Sequence, residues 1–394
     1  MTLPRVSSRR VAVQIMIPVA AVVLSLATGA LLLLAVGADP ISAYESMFRA
    51  AFGSLFSTSI TIGKAMPRLL AALGIALALR AGLWNIGAEG QIYVGGVAST
   101  AVVLGAPDVS FPVVLVAAMV AGTLAGAVWG AIPGVLRATR GISEVITSLM
   151  LVYVAIQLTN YLLESPWVVP HSTFPATEPF ASEHRLPIIW PGTLLNAGAV
   201  IAALAVVLAW VLSSRSTFGL ELRALGGGEQ AARFAGVRVK RIVVAAMAVS
   251  GAFAGLAGSV EILGVRGRLL EGFSPGYGFE AIAIALIGRL QPAGILLAAV
   301  LFGALDAGAA GLLTSGKGVP SSIVQITEAM AVVYVLVALG INEKLSRRRR
   351  AREALTGVRR DDAEDLDQAG NVPALDTSVT TGIGSADVEG WHRP

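Results

Sequence analysis

The residues best placed to do chemistry are polar side chains inside otherwise apolar segments. Asn85, Glu89 and Gln91 lie within the segment 80–91, and Glu280 opens a second short apolar segment. Ionisable groups in apolar surroundings are costly, so by default they mark a solute path or an internal pair. Carboxylates also stabilise helix N-termini, which gives Glu89 and Glu280 a structural alternative. The pattern leaves a path role and a structural role open.

Composition explains why such groups stand out. Apolar residues make up 55% of the 394 residues and charged residues only 14%, whereas soluble domains carry about 25% charged residues. Apolar runs of about 20 residues recur, which is typical of an integral membrane protein. Gly87–Gln91 and Gly278–Glu280 each open a short run of small residues. The predicted fold is all-α, a polytopic helical membrane protein with about ten crossings, short broken helices and an inverted internal repeat.

Three further side chains are candidates for a solute path. Gln157 and Asn160 are three residues apart and share a helix face, where interhelical hydrogen bonding is the favoured interpretation. Trp84 could stack on a nucleobase, although an anchor at the membrane interface is the more usual role of such a residue. The candidate path residues are Asn85, Glu89, Gln91, Glu280, Trp84, Gln157 and Asn160.

The chain is predicted to divide into three parts. Residues 1–10 form a cytoplasmic N-terminus, 11–341 a transmembrane domain, and 342–394 a cytoplasmic, disordered tail. Basic residues concentrate in segments placed inside, such as 213–241, while the predicted external loop 164–191 is net negative. This bias predicts a multi-pass protein of the plasma (inner) membrane with both termini in the cytoplasm.

Several kinds of chemistry are disfavoured. The chain has no cysteine and three scattered histidines, so no metal site is predicted. The string Gly311–Gly318 resembles a P-loop but has glycine where Mg²⁺ needs Ser or Thr, and Gly226–Ala231 has no surrounding βαβ unit. We therefore predict no catalytic residues, no bound cofactor and no ATPase site. The placement of the basic residues does not suggest nucleic-acid binding.

The segment 213–241 is the most informative loop. A short helix is predicted at Glu229–Phe234, between a glycine-rich turn and Gly236. Such a helix could dock into a groove on a partner, whereas an ordinary positive-inside loop is the alternative. The candidate coupling residues are Arg223, Gly226, Glu229, Ala231, Arg233, Phe234 and Gly236.

Four motifs resemble a known family. They are Arg80–Gln91, Gly276–Gly294, Leu222–Val237 and Ser250–Gly258. Together they resemble the permeases of branched-chain amino acid and simple-sugar type ABC importers, over about residues 60–341, and within them the nucleoside (guanosine-type) uptake permeases. Leu222–Val237 is similar to the segment by which that family couples to its ATPase.

The resemblance implies the partners and the solute. It implies a second homologous permease in a heterodimer, a cytoplasmic ATP-binding subunit that binds ATP and Mg²⁺, and an external substrate-binding lipoprotein. The expected solute is a nucleoside, with simple sugars (ribose-type) or branched-chain amino acids as alternatives. An ion-driven secondary transporter, or an intramembrane enzyme, would be a different class, but the second has no evident nucleophile–base pair.

Overall fold

The computed structural model describes residues 8–106, 111–169 and 174–314, together with scattered residues between 322 and 337. Within them every regular element is a helix, and extended backbone pairs only at two isolated bridges, Ala176–Leu270 and Ile188–Asn196. The predicted all-α class is confirmed. The helices are α1 (Ser8–Ala35), α2 (Pro40–Phe52), α3 (Leu55–Arg80), α4 (Ala88–Gly105), α5 (Phe111–Arg140), α6 (Glu144–Glu164), α7 (Gly198–Ser214), α8 (Thr217–Gly227), α9 (Glu229–Phe234), α10 (Val239–Val260), α11 (Tyr277–Ile287) and α12 (Pro292–Thr314).

Five helices are long and apolar enough to cross a membrane: α3, α5, α6, α12, and α10 with the π-helical turn Glu261–Arg266 that continues it. Two more candidates are bent pairs, because the second half of α1 turns by 119° into α2 and α7 turns by 63° into α8. The described residues thus hold five to seven candidate crossings, and the predicted ten are not confirmed. Most of the apolar run 321–341, which the sequence predicts as the last span, lies outside the described residues, and so does the whole tail 342–394.

Local sequence explains where several helices begin. The Asp39 carboxylate accepts a hydrogen bond from the N–H of Ser42 at 3.0 Å and caps α2. Ser54 and Ser216 each accept one from the N–H three residues later, also at 3.0 Å, and cap α3 and α8. Gly276, which precedes α11, has φ +105°, a conformation that favours glycine. These local interactions determine where α2, α3, α8 and α11 begin.

Two segments differ from what the sequence predicts. The apolar run 193–212, which the sequence predicts as one span, becomes helical only at Gly198, because Asn196 pairs with Ile188 in an isolated bridge and its side chain caps the N–H of Gly198 at 2.8 Å. The segment 213–241 is not a loop with one short helix, since α8 precedes α9 within it. Leu222 and Leu225 on α8 are buried, so packing of one apolar face stabilises that helix.

Glycines let three helices pack backbone to backbone. Gly122, Gly126, Gly130 and Gly134 recur every four residues along α5 and face α10. A Cβ on any of these four would crowd or overlap neighbouring atoms, which include backbone atoms of α10 at every position except Gly122. Gly255 of α10 also lies against α4. Small residues at such crossings allow the close approach that membrane helices use for packing.

Candidate functional site

Two short helices meet end to end inside the molecule. The carboxylate of Glu89, in the first turn of α4, accepts hydrogen bonds from the backbone N–H groups of Gly276 (3.1 Å) and Gly278 (2.6 Å) at the start of α11. A Cβ on Gly278 would overlap the backbone of Ala88 and Glu89. One buried carboxylate thus serves the positive ends of two helices, which stabilises both. This contact supports the structural alternative for Glu89.

Beside this contact lies a group of four charged residues, here called the mid-span cluster: Lys64, Arg68, Glu280 and Asp306. Arg68 forms an ion pair with Glu280 and a second with Asp306 at 2.9 Å, and Lys64 pairs with Asp306 at 3.0 Å. The Arg68 guanidinium also lies 4.3 Å from the centre of the Tyr277 ring, in cation–π geometry. The four formal charges sum to zero, so α3, α11 and α12 are joined by a balanced network.

The mid-span cluster lies halfway along a spanning helix. Arg68 is one of 26 residues in Leu55–Arg80 and is about 20 Å from either end of the helix at 1.5 Å per residue. Its side chain is only 2% exposed. Nearby, Glu261 in the π-helical turn pairs with Arg266 at 2.8 Å. Charges at this depth are costly unless they are paired or face water. The charged residues of the mid-span cluster and Glu261 are all paired.

Asn85 and Gln91 form a closed network with Ser250. The Asn85 amide donates to Gln91 Oε1 and to Ser250 Oγ, both at 2.8 Å, and the Gln91 amide donates back to Asn85 Oδ1 at 3.0 Å. All three residues are buried. Buried polar groups that satisfy one another rigidify a core. A path role for Asn85 and Gln91 remains a prediction, while their geometry favours structural support.

The remaining path candidates lie apart from these networks. Trp84 is partly exposed, and its backbone N–H lies 3.4 Å from the carboxylate of Glu144. Gln157 is exposed, whereas Asn160 is half-buried with a buried Oδ1 that has no hydrogen-bond partner among the described residues. Gln157 and Asn160 therefore differ in their surroundings despite their helical spacing. Among the residues that the structure describes, no hydrogen bond or ion pair links these side chains to the mid-span cluster.

The predicted coupling segment is a pair of short helices. α9 spans Glu229–Phe234, the predicted bounds, and Glu229 pairs with Arg233 at 2.5 Å on its exposed surface. Of the two alanines on α9, Ala231 is exposed but its neighbour Ala232 is buried. Phe234 is 93% exposed. An almost fully exposed phenylalanine on a charged helix is a surface that a partner protein could cover.

The rest of the coupling segment is held against the body of the chain. Arg223 donates a hydrogen bond to the carbonyl of Ser213, and a Cβ on Gly226 would overlap the carbonyl of Arg80. Gly236, which follows α9, has φ +80°, a conformation that favours glycine. The two contacts and the turn at Gly236 determine the position of α9 relative to α3 and α7.

Comparison with known proteins identifies the family. The family model described as branched-chain amino acid transport system / permease component matches residues 57–342. The chain belongs to this permease family. The match covers the mid-span cluster, the glycine-packed helices and the coupling segment.

Individual relatives extend the match. The chain is 34% identical to the guanosine ABC transporter permease protein NupP of Bacillus subtilis, over 83% of this chain and 94% of the relative. It is 37% identical to the glucose ABC transporter permease protein TsgB13 of Haloferax volcanii (82% and 87%), and 33% identical to the nucleoside ABC transporter permease protein NupB of Lactococcus lactis (82% and 91%). Each of these organisms also holds a second, less similar relative described for the same kind of solute.

The chain is therefore an ABC transporter permease and a multi-pass membrane protein. Such a permease works in a system that also contains ATP-binding and substrate-binding partners. The sequence predicts Glu280 but does not single out Lys64, Arg68 and Asp306, the other members of the mid-span cluster, or Tyr277. The available signal is that these three charged residues stand inside predicted apolar spans, which is a mark of function in membrane proteins.

Replacing Asn85 by alanine is expected to destabilise this permease rather than change its solute affinity. The change leaves the buried amide of Gln91 without a partner, which costs about 1–3 kcal/mol. Thermal unfolding of the detergent-solubilised assembly should show a lower midpoint, while the KM for uptake stays within about twofold. A raised KM at unchanged stability would instead support the path role.

Proposed function

We propose that this permease forms, with a second homologous permease, the path by which an ABC importer takes up nucleosides. The observation that carries the proposal is the similarity to the guanosine permease NupP over 94% of that relative's length, joined by the nucleoside permease NupB. A hexose is the second candidate, because TsgB13, described for glucose, is 37% identical. Branched-chain amino acids are the third candidate, from the family description alone.

The assembly we propose is a heterodimer. Three organisms each hold two relatives of this chain, one more similar than the other. Two unlike permeases in one transporter account for that pairing. A binding lipoprotein would deliver the solute from outside, at the plasma membrane.

We also propose that the driving force comes from a separate ATPase. That subunit would bind ATP and Mg²⁺ and would contact the exposed surface of α9. This chain would carry no catalytic residue. We therefore place α8 and α9 on the cytoplasmic side, and we propose from the distribution of basic residues that both chain termini lie there too. The exposed Phe234 and the Glu229–Arg233 pair are the groups that the ATPase would contact.

Uptake by the whole assembly tests the solute. Vesicles that contain both permeases, the ATPase and the binding protein would be loaded with ATP and offered labelled guanosine, glucose, ribose or leucine in turn. We expect ATP-dependent uptake of guanosine and competition by other nucleosides. Uptake of a sugar or of leucine without guanosine would replace the nucleoside proposal. Uptake that needs an ion gradient but not ATP would contradict ATP-driven import.

Phe234→Ala is expected to uncouple the transporter. Loss of a large apolar contact at an interface centre costs about 2 kcal/mol or more, so solute-stimulated ATP hydrolysis and uptake should both fall at least tenfold. Stability should not change, because the side chain is 93% exposed. The matched control is Phe174→Ala, since Phe174 is 73% exposed in the predicted external loop. Equal effects of the two substitutions would contradict the assignment of α9 as the coupling surface.

A further inference from the structure

Along one face of α12 the residues change from buried to exposed. Ile295, Ala299 and Phe302 follow one another at helical spacing and are fully buried. Asp306, next along the same face, is 26% exposed, and Ala310 beyond it is exposed. Residues three and four apart lie above one another on a helix. The face therefore opens above Phe302, toward Thr314.

α3 shows the same change in the opposite chain direction. Ile75 and Ala71 are buried, and Arg68 next to them is also buried. Lys64, one turn closer to the start of the helix, is 28% exposed, and Ile60 is half-buried. This face opens toward Leu55.

The two open ends lie on the same side of the molecule. α3 and α12 are antiparallel, because Arg80 at the end of α3 donates to the carbonyl of Leu290 just before α12, at 2.6 Å. Gly63, beside Lys64, is buried, yet nothing lies within 4 Å of the place a Cβ would take. Open space therefore exists inside the packing at this level.

The partly exposed charged residues indicate that water rather than lipid occupies this space. Lys64, Glu280 and Asp306 are 24–28% exposed near the middle of the spans, and charged groups at that depth face water or protein rather than lipid. We call the space that they border the vestibule, with the mid-span cluster as its floor. Below the floor, Ile75 and Ile295 belong to one closed apolar core. The proposed topology opens the vestibule to the outside.

We propose that the floor of the vestibule, formed by Lys64, Glu280 and Asp306, is a binding site for the hydroxyl groups of a neutral solute such as the ribose of a nucleoside or a free sugar. This inference rests on the proposed function as an importer of such solutes. Arg68, behind the floor, is a positioning residue because it is buried and holds both carboxylates.

The charges of the floor select for hydroxyl groups. Both oxygens of Asp306 already accept from cations, as does Oε2 of Glu280, but each carboxylate oxygen can accept a further hydrogen bond. A hydroxyl group can donate to a carboxylate and accept from the Lys64 ammonium without adding charge. A charged solute would leave an unbalanced charge at mid-membrane depth. Vicinal hydroxyls therefore suit this floor, whether they come from a nucleoside or from a sugar.

Single cysteines test whether the vestibule is wet and holds solute. The chain has no cysteine, so Ala310→Cys introduces a unique thiol. In the complete assembly, a membrane-impermeant thiol reagent added from outside should label this thiol, and saturating guanosine should slow labelling at least fivefold. Leu297→Cys is the control, because Leu297 is 73% exposed but lies about 180° around α12 from Asp306. It should not be labelled. No labelling at position 310, or labelling that no solute slows, would overturn the proposal.

Kinetics separate a binding role from a structural role. Asp306→Asn keeps the size of the side chain but weakens its hydrogen bonds to hydroxyl groups, so the KM for guanosine should rise about tenfold while the maximal rate per assembled transporter stays within about twofold. Because the substitution also unbalances the mid-span cluster, the unfolding midpoint should fall as well. The control is Glu45→Gln, which removes a carboxylate paired with Arg49 on the surface of α2 and should leave KM unchanged. An unchanged KM in Asp306→Asn would overturn the assignment.

The outcomes distinguish this inference from the function on which it rests. If the unsubstituted assembly takes up glucose but not guanosine, and glucose protects position 310, the nucleoside proposal fails and the hydroxyl site stands. If guanosine is taken up but neither protects nor depends on Asp306, the function stands and the site fails. Loss of the second permease from purified Asp306→Asn assemblies would show an interface instead and would also overturn the site.

Discussion

Gly255→Ala is expected to lower the stability of the permease by about 1–3 kcal/mol, the usual cost of forcing an atom into a packed core. Gly255 lies where α4, α5 and α10 cross, and its new Cβ would overlap the Gly122 carbonyl and press on the backbone of Gly126. Backbone atoms in the middle of a helix cannot move aside as the end of a side chain can. The helices would have to move apart, and the contacts along α5 would be lost.

The matched control is Gly63→Ala, another glycine in the interior of a spanning helix. Its Cβ would meet nothing within 4 Å, so the change should be neutral or slightly stabilising because alanine favours helices. Thermal unfolding in detergent, followed by size-exclusion chromatography, compares the two variants. Similar midpoints for Gly255→Ala and Gly63→Ala would show that the glycine crossing does not determine stability.

The glycine crossing is only partly predictable from the sequence. Four glycines at a spacing of four residues in an apolar run are a known signal for close helix packing, and α5 has that signal at Gly122–Gly134. The partner of this face cannot be identified from one chain, since α10 lies more than 100 residues away and carries glycines of its own. Tertiary packing supplies that information.

Some helices are predicted from the sequence more accurately than others. α9 is predicted with its observed bounds because glycines on both sides of Glu229–Phe234 limit the helix. α8 is not predicted, because charged residues at 221 and 223 make its segment resemble a loop. Its helical state depends on burial of Leu222 and Leu225 against other helices. Local signals thus predict where a helix stops better than whether a mixed segment is helical.

The candidate site is mostly not predictable from the sequence. Polar residues near glycine breaks predict Glu89 and Glu280, and the structure does place both where α4 and α11 meet. Arg68 and Asp306 are charged residues in apolar runs and lie 238 positions apart. No periodic pattern connects such distant residues. Only the rule that charges inside a span need partners or water could have singled them out.

Arg68→Met is expected to destabilise the permease by about 3–5 kcal/mol, because it leaves two carboxylates facing Lys64 alone at mid-membrane depth. The loss should appear as a large drop in the unfolding midpoint and in the yield of assembled transporter. A surface pair offers the control. Arg49→Met removes the partner of Glu45, but both side chains are more than half exposed, so the midpoint should shift little.

A second substitution distinguishes loss of charge balance from loss of packing. In Arg68→Met/Glu280→Gln, Lys64 and Asp306 again balance each other, while the methionine still occupies part of the arginine's volume. If unpaired charge causes the instability, the double variant should recover at least half of the lost midpoint. If it is no more stable than Arg68→Met alone, the guanidinium acts through its contact with Tyr277 or its shape. The mid-span cluster would then join α3, α11 and α12 by packing rather than by charge.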